Sequence, residues 1–236
     1  MSEFNDVLQS GMAKFKIILT EKQLWQFNEY YKLLTQWNNK MNLTAITEPT
    51  EVALKHFVDS CSILNYINVK ENAKVIDIGT GAGFPGIPLK IVRDDINLTL
   101  LDSLNKRLLF LNEAAKEIGI TANTIHGRAE DYGKDITYRE KFDMAVSRAV
   151  APLNVLSEYC IPFVKKGGIF VSMKGPNIQE EVNAGKSSIK LLGGKINNVK
   201  QFSLGDNSRS IIIVEKVNNT PAAYPRHGSK ISKKPL

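Results

Sequence analysis

The sequence predicts an α/β fold: a mostly parallel, seven-stranded sheet with helices on both faces, an antiparallel hairpin at its C-terminal end and a helical extension before it. Three observations predict it. From Lys74 onward, short apolar runs of strand length alternate with longer segments of helical period, the pattern of parallel strands joined by crossovers. The last two strand-like runs are separated only by Gly205-Asp206-Asn207, a turn signal that pairs them as a hairpin. Before residue 70 the periodicity is helical. The expected division is therefore a helical region over 1–70 and an α/β domain over 71–236.

The elements follow in order. Residues 20–40 open with Thr20 and Gln23 at capping-box spacing. Leu24, Phe27, Tyr31 and Leu34 form one helical stripe, and Tyr30, Leu33, Trp37 and Met41 a second beside it, so this helix has a broad apolar face. A shorter helix precedes it and another runs from Pro49 to Tyr66. KVIDIG is the first strand. PGIPLKIVR is a helix, with Pro85 and Pro88 tolerated in its first turn. NLTLLDS is the second strand and LNKRLLFLNEAAKEIG an amphipathic helix ending at Gly119. TANTIHG and FDMAVSRA are the third and fourth strands. A helix over Pro152 to Phe163, the strand GGIFVSMKG, a polar helix, and the strands KINNVKQFSL and RSIIIVEK complete the fold.

Composition bounds the function. With 43% hydrophobic and 23% charged residues in 236, the chain is globular, and no run of 18 apolar residues predicts a membrane span. The start, MSEFNDVLQSG, is acidic and polar, unlike a signal peptide, so a cytoplasmic protein is expected. Cys61 and Cys160 lie far apart in helical patterns, which points to reduced, buried thiols and no metal site. The net charge of +7 is compatible with a polyanionic partner. After Glu215 there is no acid, only Lys216, Arg226, Lys230, Lys233 and Lys234; composition leaves this tail equally readable as solvated or as a nucleic-acid clamp.

The stretch VIDIGTGAGFPGIPL carries the chemistry. Gly79-Thr80-Gly81-Ala82-Gly83 is a G-x-G-x-G, and Gly81 to Gly86 is also a G-x-G-x-x-G, the dinucleotide fingerprint. Such a turn after the first strand lies where α/β sheets bind ligands, and glycines let the backbone approach them closely. Asp102 ends the second strand, about 20 residues on, where an acid accepts hydrogen bonds from ribose hydroxyls. NAD and S-adenosylmethionine share that ribose; Asp102 is alternatively a helix cap. Three features favour the sulfonium cofactor: the acidic turn Gly127-Arg128-Ala129-Glu130-Asp131 after the third strand, the antiparallel hairpin, and the lack of a second domain to hold a hydride acceptor.

The segments NLTAITEPTEVALKHFVDS, DIGTGAGFPGIPL, LLDSLNKRLLFL, GRAED, FDMAVSRAVAPL, GGIFVSMKG and TPAAYPRHGSKISKKPL follow one another as in the bacterial small-subunit (16S) rRNA guanine-N7 methyltransferases, the glucose-inhibited division protein B family, which the chain resembles from about residue 24 to its end. The resemblance implies a class I methyltransferase (Rossmann-like) fold, S-adenosylmethionine as cofactor, and methylation of a guanine N7 in 16S rRNA or the small ribosomal subunit by a monomer. It places Gly79 and Phe84, Ala129 and Glu130, and Arg148 at the cofactor, alongside Gly81, Gly83 and Asp102 from the reading above. The tail is then expected to clamp RNA through Arg226, Lys230, Lys233 and Lys234, with Arg148 and Lys174 at the strand ends. His56 and Asp59 match a further family motif, for which surface packing is an equal reading.

Guanine N7 carries a lone pair and no proton, so the reaction needs no general base and no catalytic residue of that kind is expected. In-line positioning and exclusion of water do the work. Exocyclic-amine methyltransferases resemble one another in an Asn/Asp-Pro-Pro-aromatic motif after strand four; here Ser147-Arg148-Ala149-Val150 stands instead. The rival readings are an NAD(P)-dependent oxidoreductase, for which no Tyr-Lys or Cys/His pair is found, and a non-catalytic RNA-binding protein on the same fold.

Overall fold

A computed structural model describes residues 2–148 and 151–236. Ala149 and Val150, part of the motif compared above, lie outside the described residues. Helix α1 (Ser2–Lys14) buries Phe4, Leu8 and Met12. Helix α2 (Glu21–Met41) begins with the expected capping box, Thr20 and Gln23 each satisfying the other's backbone N–H, and ends at Asn42 in the left-handed conformation. The third helical run starts as α3 (Pro49–Val52), widens to a π-helical turn over Ala53–Val58, and continues through α4 (Asp59–Cys61) and a 3-10 turn at Ser62–Asn65. π turns gather at functional sites, and this one carries His56.

The α/β part runs β1 (Lys74–Ile78), α5 (Gly86–Val92), β2 (Asn97–Asp102), α6 (Asn105–Glu117), β3 (Ala122–His126), α7 (Ala129–Tyr132), β4 (Phe142–Arg148), α8 (Leu153–Cys160), β5 (Val164–Lys174), α9 (Gln179–Leu191), β6 (Gly194–Leu204) and β7 (Asn207–Lys216). A last helix, α10 (Gly228–Lys233), lies in the tail. The seven strands are ordered β3-β2-β1-β4-β5-β7-β6, with β7 antiparallel to both neighbours and the rest parallel. Order reverses between β1 and β4, so a crevice opens beyond their carboxyl ends. The hairpin turn is Gly205-Asp206 alone; Asn207 already belongs to β7.

One face of the sheet packs on α1, α2, the Pro49–Asn65 run, α5 and α6, so the first 66 residues share a core with Val75, Leu98, Val146 and Ile211 rather than forming their own. Phe202 of β6 meets Phe15 at 5.4 Å and Tyr66 at 5.6 Å between ring centroids. The other face packs on α8 and α9 through Ile76, Phe170, Leu153 and Val182. Among the described residues no helix is long and apolar enough to cross a membrane.

The tail is docked. Arg139 donates to the carbonyls of Thr220, Pro221 and Tyr224. Arg226 grips the fully buried Glu158, its Nη2 lying 2.7 Å from Oε2. Pro221 opens a turn closed by Tyr224 N to Pro221 O at 2.9 Å, and α10 forms just beyond Pro225, where the sequence reading had no helix.

Candidate active site

The glycine turn follows β1 at the crevice. Gly79 and Thr80 donate their N–H groups to Leu101 O of β2 at 2.9 and 3.1 Å. Asp77, fully buried in β1, accepts from Thr80 Oγ1 at 2.7 Å and from Gly86 N at 2.9 Å through Oδ2. Its Oδ1 has no partner in the protein. Burial pushes the Asp77 carboxyl up to about 6. Sequence reasoning passed over this residue, although a lone acid among Val75, Ile76 and Ile78 was the signal.

The glycines divide into two roles. Gly81 has φ +60°, and a side chain added there would meet only Gly79 O, 4.0 Å away: it faces an open cradle. Gly83, expected at the cofactor, is turned inward. A Cβ on it would lie 2.7 Å from Ile87 Cγ1 and from Leu111 Cδ2, and against the Tyr30 hydroxyl. Its missing side chain makes room for protein packing.

Asp102 is buried at the end of β2. Its Oδ2 accepts from Gly81 N at 2.9 Å and its Oδ1 from Leu104 N at 2.9 Å, and Arg107 Nη1 lies 3.3 Å away. It therefore ties the glycine turn to Leu104, the residue that caps α6, rather than capping that helix itself. Ala129 and Glu130 are buried at α7, with Gly228 of the tail against the Glu130 carboxylate.

Arg148 ends β4 and reaches across to the N-terminal helices. Its guanidinium donates to Lys55 O at 3.1 Å, Asp59 Oδ2 at 3.2 Å and His56 Nδ1 at 3.2 Å. It also lies 4.9 Å from the centroid of the Phe84 ring, on which His56 stacks at 4.6 Å. Because Arg148 can only donate, Nδ1 of His56 is the acceptor and Nε2–H points at Thr44 Oγ1, 2.8 Å away. Burial, reinforced by Arg148, pushes His56 down to about 3. Asp59 bridges Arg148 to Arg209 of β7, whose Nε lies 3.1 Å from Oδ1. Burial raises the Asp59 carboxyl, against the pull of both arginines. Thus His56 and Asp59, left open by the sequence, belong with Arg148. Beside them lies a cleft of about 330 Å³ walled by Lys55, His56, Asp59, Arg148, Phe202 and Arg209.

The cations expected to meet RNA separate. Lys174 is committed to Ala151 O and Glu181, and Arg226 to Glu158, so neither is free. Lys230, Lys233 and Lys234 are exposed, while Ile231 anchors their helix. Among the described residues no group of acids, histidines and cysteines is arranged to hold a metal ion.

A glycine turn after β1, an acid at the end of β2 and a parallel sheet finished by an antiparallel β7 define a class I methyltransferase. Solved structures agree on the fold: the chain superposes on M. jannaschii TYW2 in complex with AdoMet (TM-score 0.51, 15% identity, 63% of this chain and 71% of that one) and on a putative methyltransferase from Bacillus halodurans (TM-score 0.55, 11% identity, 68% and 99%). The chain belongs to the rRNA small subunit methyltransferase G (GidB) family, whose model matches residues 23–212. It is 49% identical to ribosomal RNA small subunit methyltransferase G of Desulforamulus reducens, covering 100% of both chains, and 49% identical to that of Thermoanaerobacter sp., covering 98% of both.

Proposed function

We propose that this protein transfers a methyl group from S-adenosylmethionine to the N7 of a guanine in small-subunit (16S) rRNA, acting as a cytoplasmic monomer. The observation that carries the reading is the open cradle at Gly81 beside Asp102, in a chain of this family. The residues fit the cofactor. Gly81 leaves space, Asp102 Oδ1, which accepts only from Leu104 N, keeps a lone pair for a ribose hydroxyl, and the unpartnered Asp77 Oδ1 supplies a buried negative site beneath the turn. Bound there, S-adenosylmethionine supplies an electrophilic methyl on a sulfonium.

The protein's part is positioning. Phe84, against whose ring both His56 and the Arg148 guanidinium pack, couples the glycine turn to that hydrogen-bonded pair. The neutral His56 has both ring nitrogens engaged and serves as a strut, in keeping with a nucleophile that carries no proton to remove. Arg148 and Arg209, two cations sharing the single Asp59 carboxylate, leave the cleft mouth a net positive charge for phosphates, and Lys230, Lys233 and Lys234 add positive charge on the tail. The NAD(P) reading is not favoured in a methyltransferase family. Mass-spectrometric mapping of small-subunit rRNA from cells lacking and re-supplied with the gene tests the proposal. Loss and return of one 7-methylguanosine is expected; an unchanged modification map would overturn it.

A further inference from the structure

Helix α2 lies outside the sheet, yet it carries a polar stripe that ends on the glycine turn. Gln23 Nε2 donates to Ile91 O at 3.0 Å and Val92 O at 3.3 Å, the last carbonyls of α5. Gln26 Nε2 donates to Ile118 O, at the end of α6, at 2.9 Å. One turn on, the Tyr30 hydroxyl donates to Ala82 O, inside the glycine turn. Residues at these spacings share one helix face. Gln23 and Tyr30 thus hold the turn–α5 unit at both ends.

Tyr30 is fully buried, and its ring stacks between Phe57 and Phe110 at 5.5 and 6.2 Å. Its oxygen occupies the space that a side chain on Gly83 would need. Burial, with Asp77 nearby, pushes the phenol well above its ordinary value, so it remains a donor. Ala82 O has no other partner inside the turn, whose remaining bonds run from Gly83 N and Phe84 N to Thr80 O. A free, buried carbonyl would draw the turn toward solvent and away from the conformation that Gly81 presents.

We propose that Tyr30 is a positioning residue for cofactor binding, a part of the site supplied by the N-terminal helices that sets the glycine turn through its bond to Ala82. This rests on the assignment of the turn to S-adenosylmethionine. Tyr30→Phe keeps the stacked ring and removes only the donor. Titration calorimetry with S-adenosylmethionine should show its Kd rising about 5- to 30-fold, the effect of one buried acceptor left unpaired. Hydrogen exchange at residues 79–89 should be faster in the cofactor-free variant, while the KM for RNA and kcat at saturating cofactor stay within twofold. Tyr31→Phe, which removes the hydroxyl bonded to Thr47 O on the neighbouring face, is the control and should leave the Kd unchanged. Gly81→Val separates the two levels of inference. If it abolishes binding while Tyr30→Phe binds as wild type, the role of Tyr30 is overturned and the turn remains the site. If Gly81→Val also binds normally, the turn itself is not the site and both fall.

Discussion

Arg148 and Asp59 meet 3.2 Å apart across the junction of the sheet and the N-terminal helices, and the same carboxylate reaches Arg209 at 3.1 Å. One buried acid thereby fixes two cations from β4 and β7 at the cleft mouth.

Removing that acid should destabilise the fold. Asp59→Ala leaves the largely buried Arg148 and Arg209 without their counter-ion, and such a loss costs about 3–5 kcal/mol. Urea unfolding measures it. A midpoint within error of wild type would mean both arginines turn freely into solvent.

Acid should act on His56. Its pKa is about 3 in the fold against an ordinary 6.5, so the unfolded chain binds a proton that the folded one refuses. The associated stability is whole above pH 6.5 and is lost as pH falls toward 3, at most about 1.4 kcal/mol per pH unit. Asp77, raised to about 6, works in the opposite sense: its contribution grows as pH falls below that value. Comparing wild type with His56→Gln isolates the histidine. The difference in unfolding free energy between the two should narrow from pH 7 to pH 4.5; a constant difference would show that His56 is charged in the fold.

Gly81 and Gly83 should fail differently. Gly83→Ala forces Tyr30, Ile87 and Leu111 apart at a positive φ and should cost about 1–3 kcal/mol of folding stability. Gly81→Ala meets open space, so its fold should tolerate the change better, while cofactor affinity falls. Thermal melts and titration calorimetry on the two variants check the split.

The tail should divide likewise. Arg226→Ala strands Glu158 in the interior and should lower stability by about 3–5 kcal/mol. Replacing Lys230, Lys233 and Lys234 with alanine should leave the melting temperature alone and reduce the slope of log RNA affinity against log salt by roughly 1 to 3. Identical slopes would place the RNA elsewhere.

What the sequence disclosed was local. The capping box at Thr20, the alternation from Lys74 and the hairpin turn are written in neighbouring residues, and the structure has them all. The spacing marked Gly81 and Asp102 together, and the structure joins them through the Gly81 N to Asp102 Oδ2 bond. Gly83 has the same spacing, but its reason is Tyr30, which comes from another part of the chain. The pairing of Arg148 with Asp59 joins residues 89 positions apart, and that of Arg226 with Glu158 joins residues 68 apart. No periodicity records such partners, so Lys174 and Arg226 read as free cations until their carboxylates were seen.

The packing of Phe15 and Tyr66 on Phe202 has a consequence for synthesis. Helices α1 and α2 leave the ribosome well before β6, the wall that completes their core. Closing so long a loop is slow. The earlier helices must therefore wait, with aromatic surface uncovered, until Phe202 has been translated, and this is when nascent chains are most exposed to aggregation and chaperone capture.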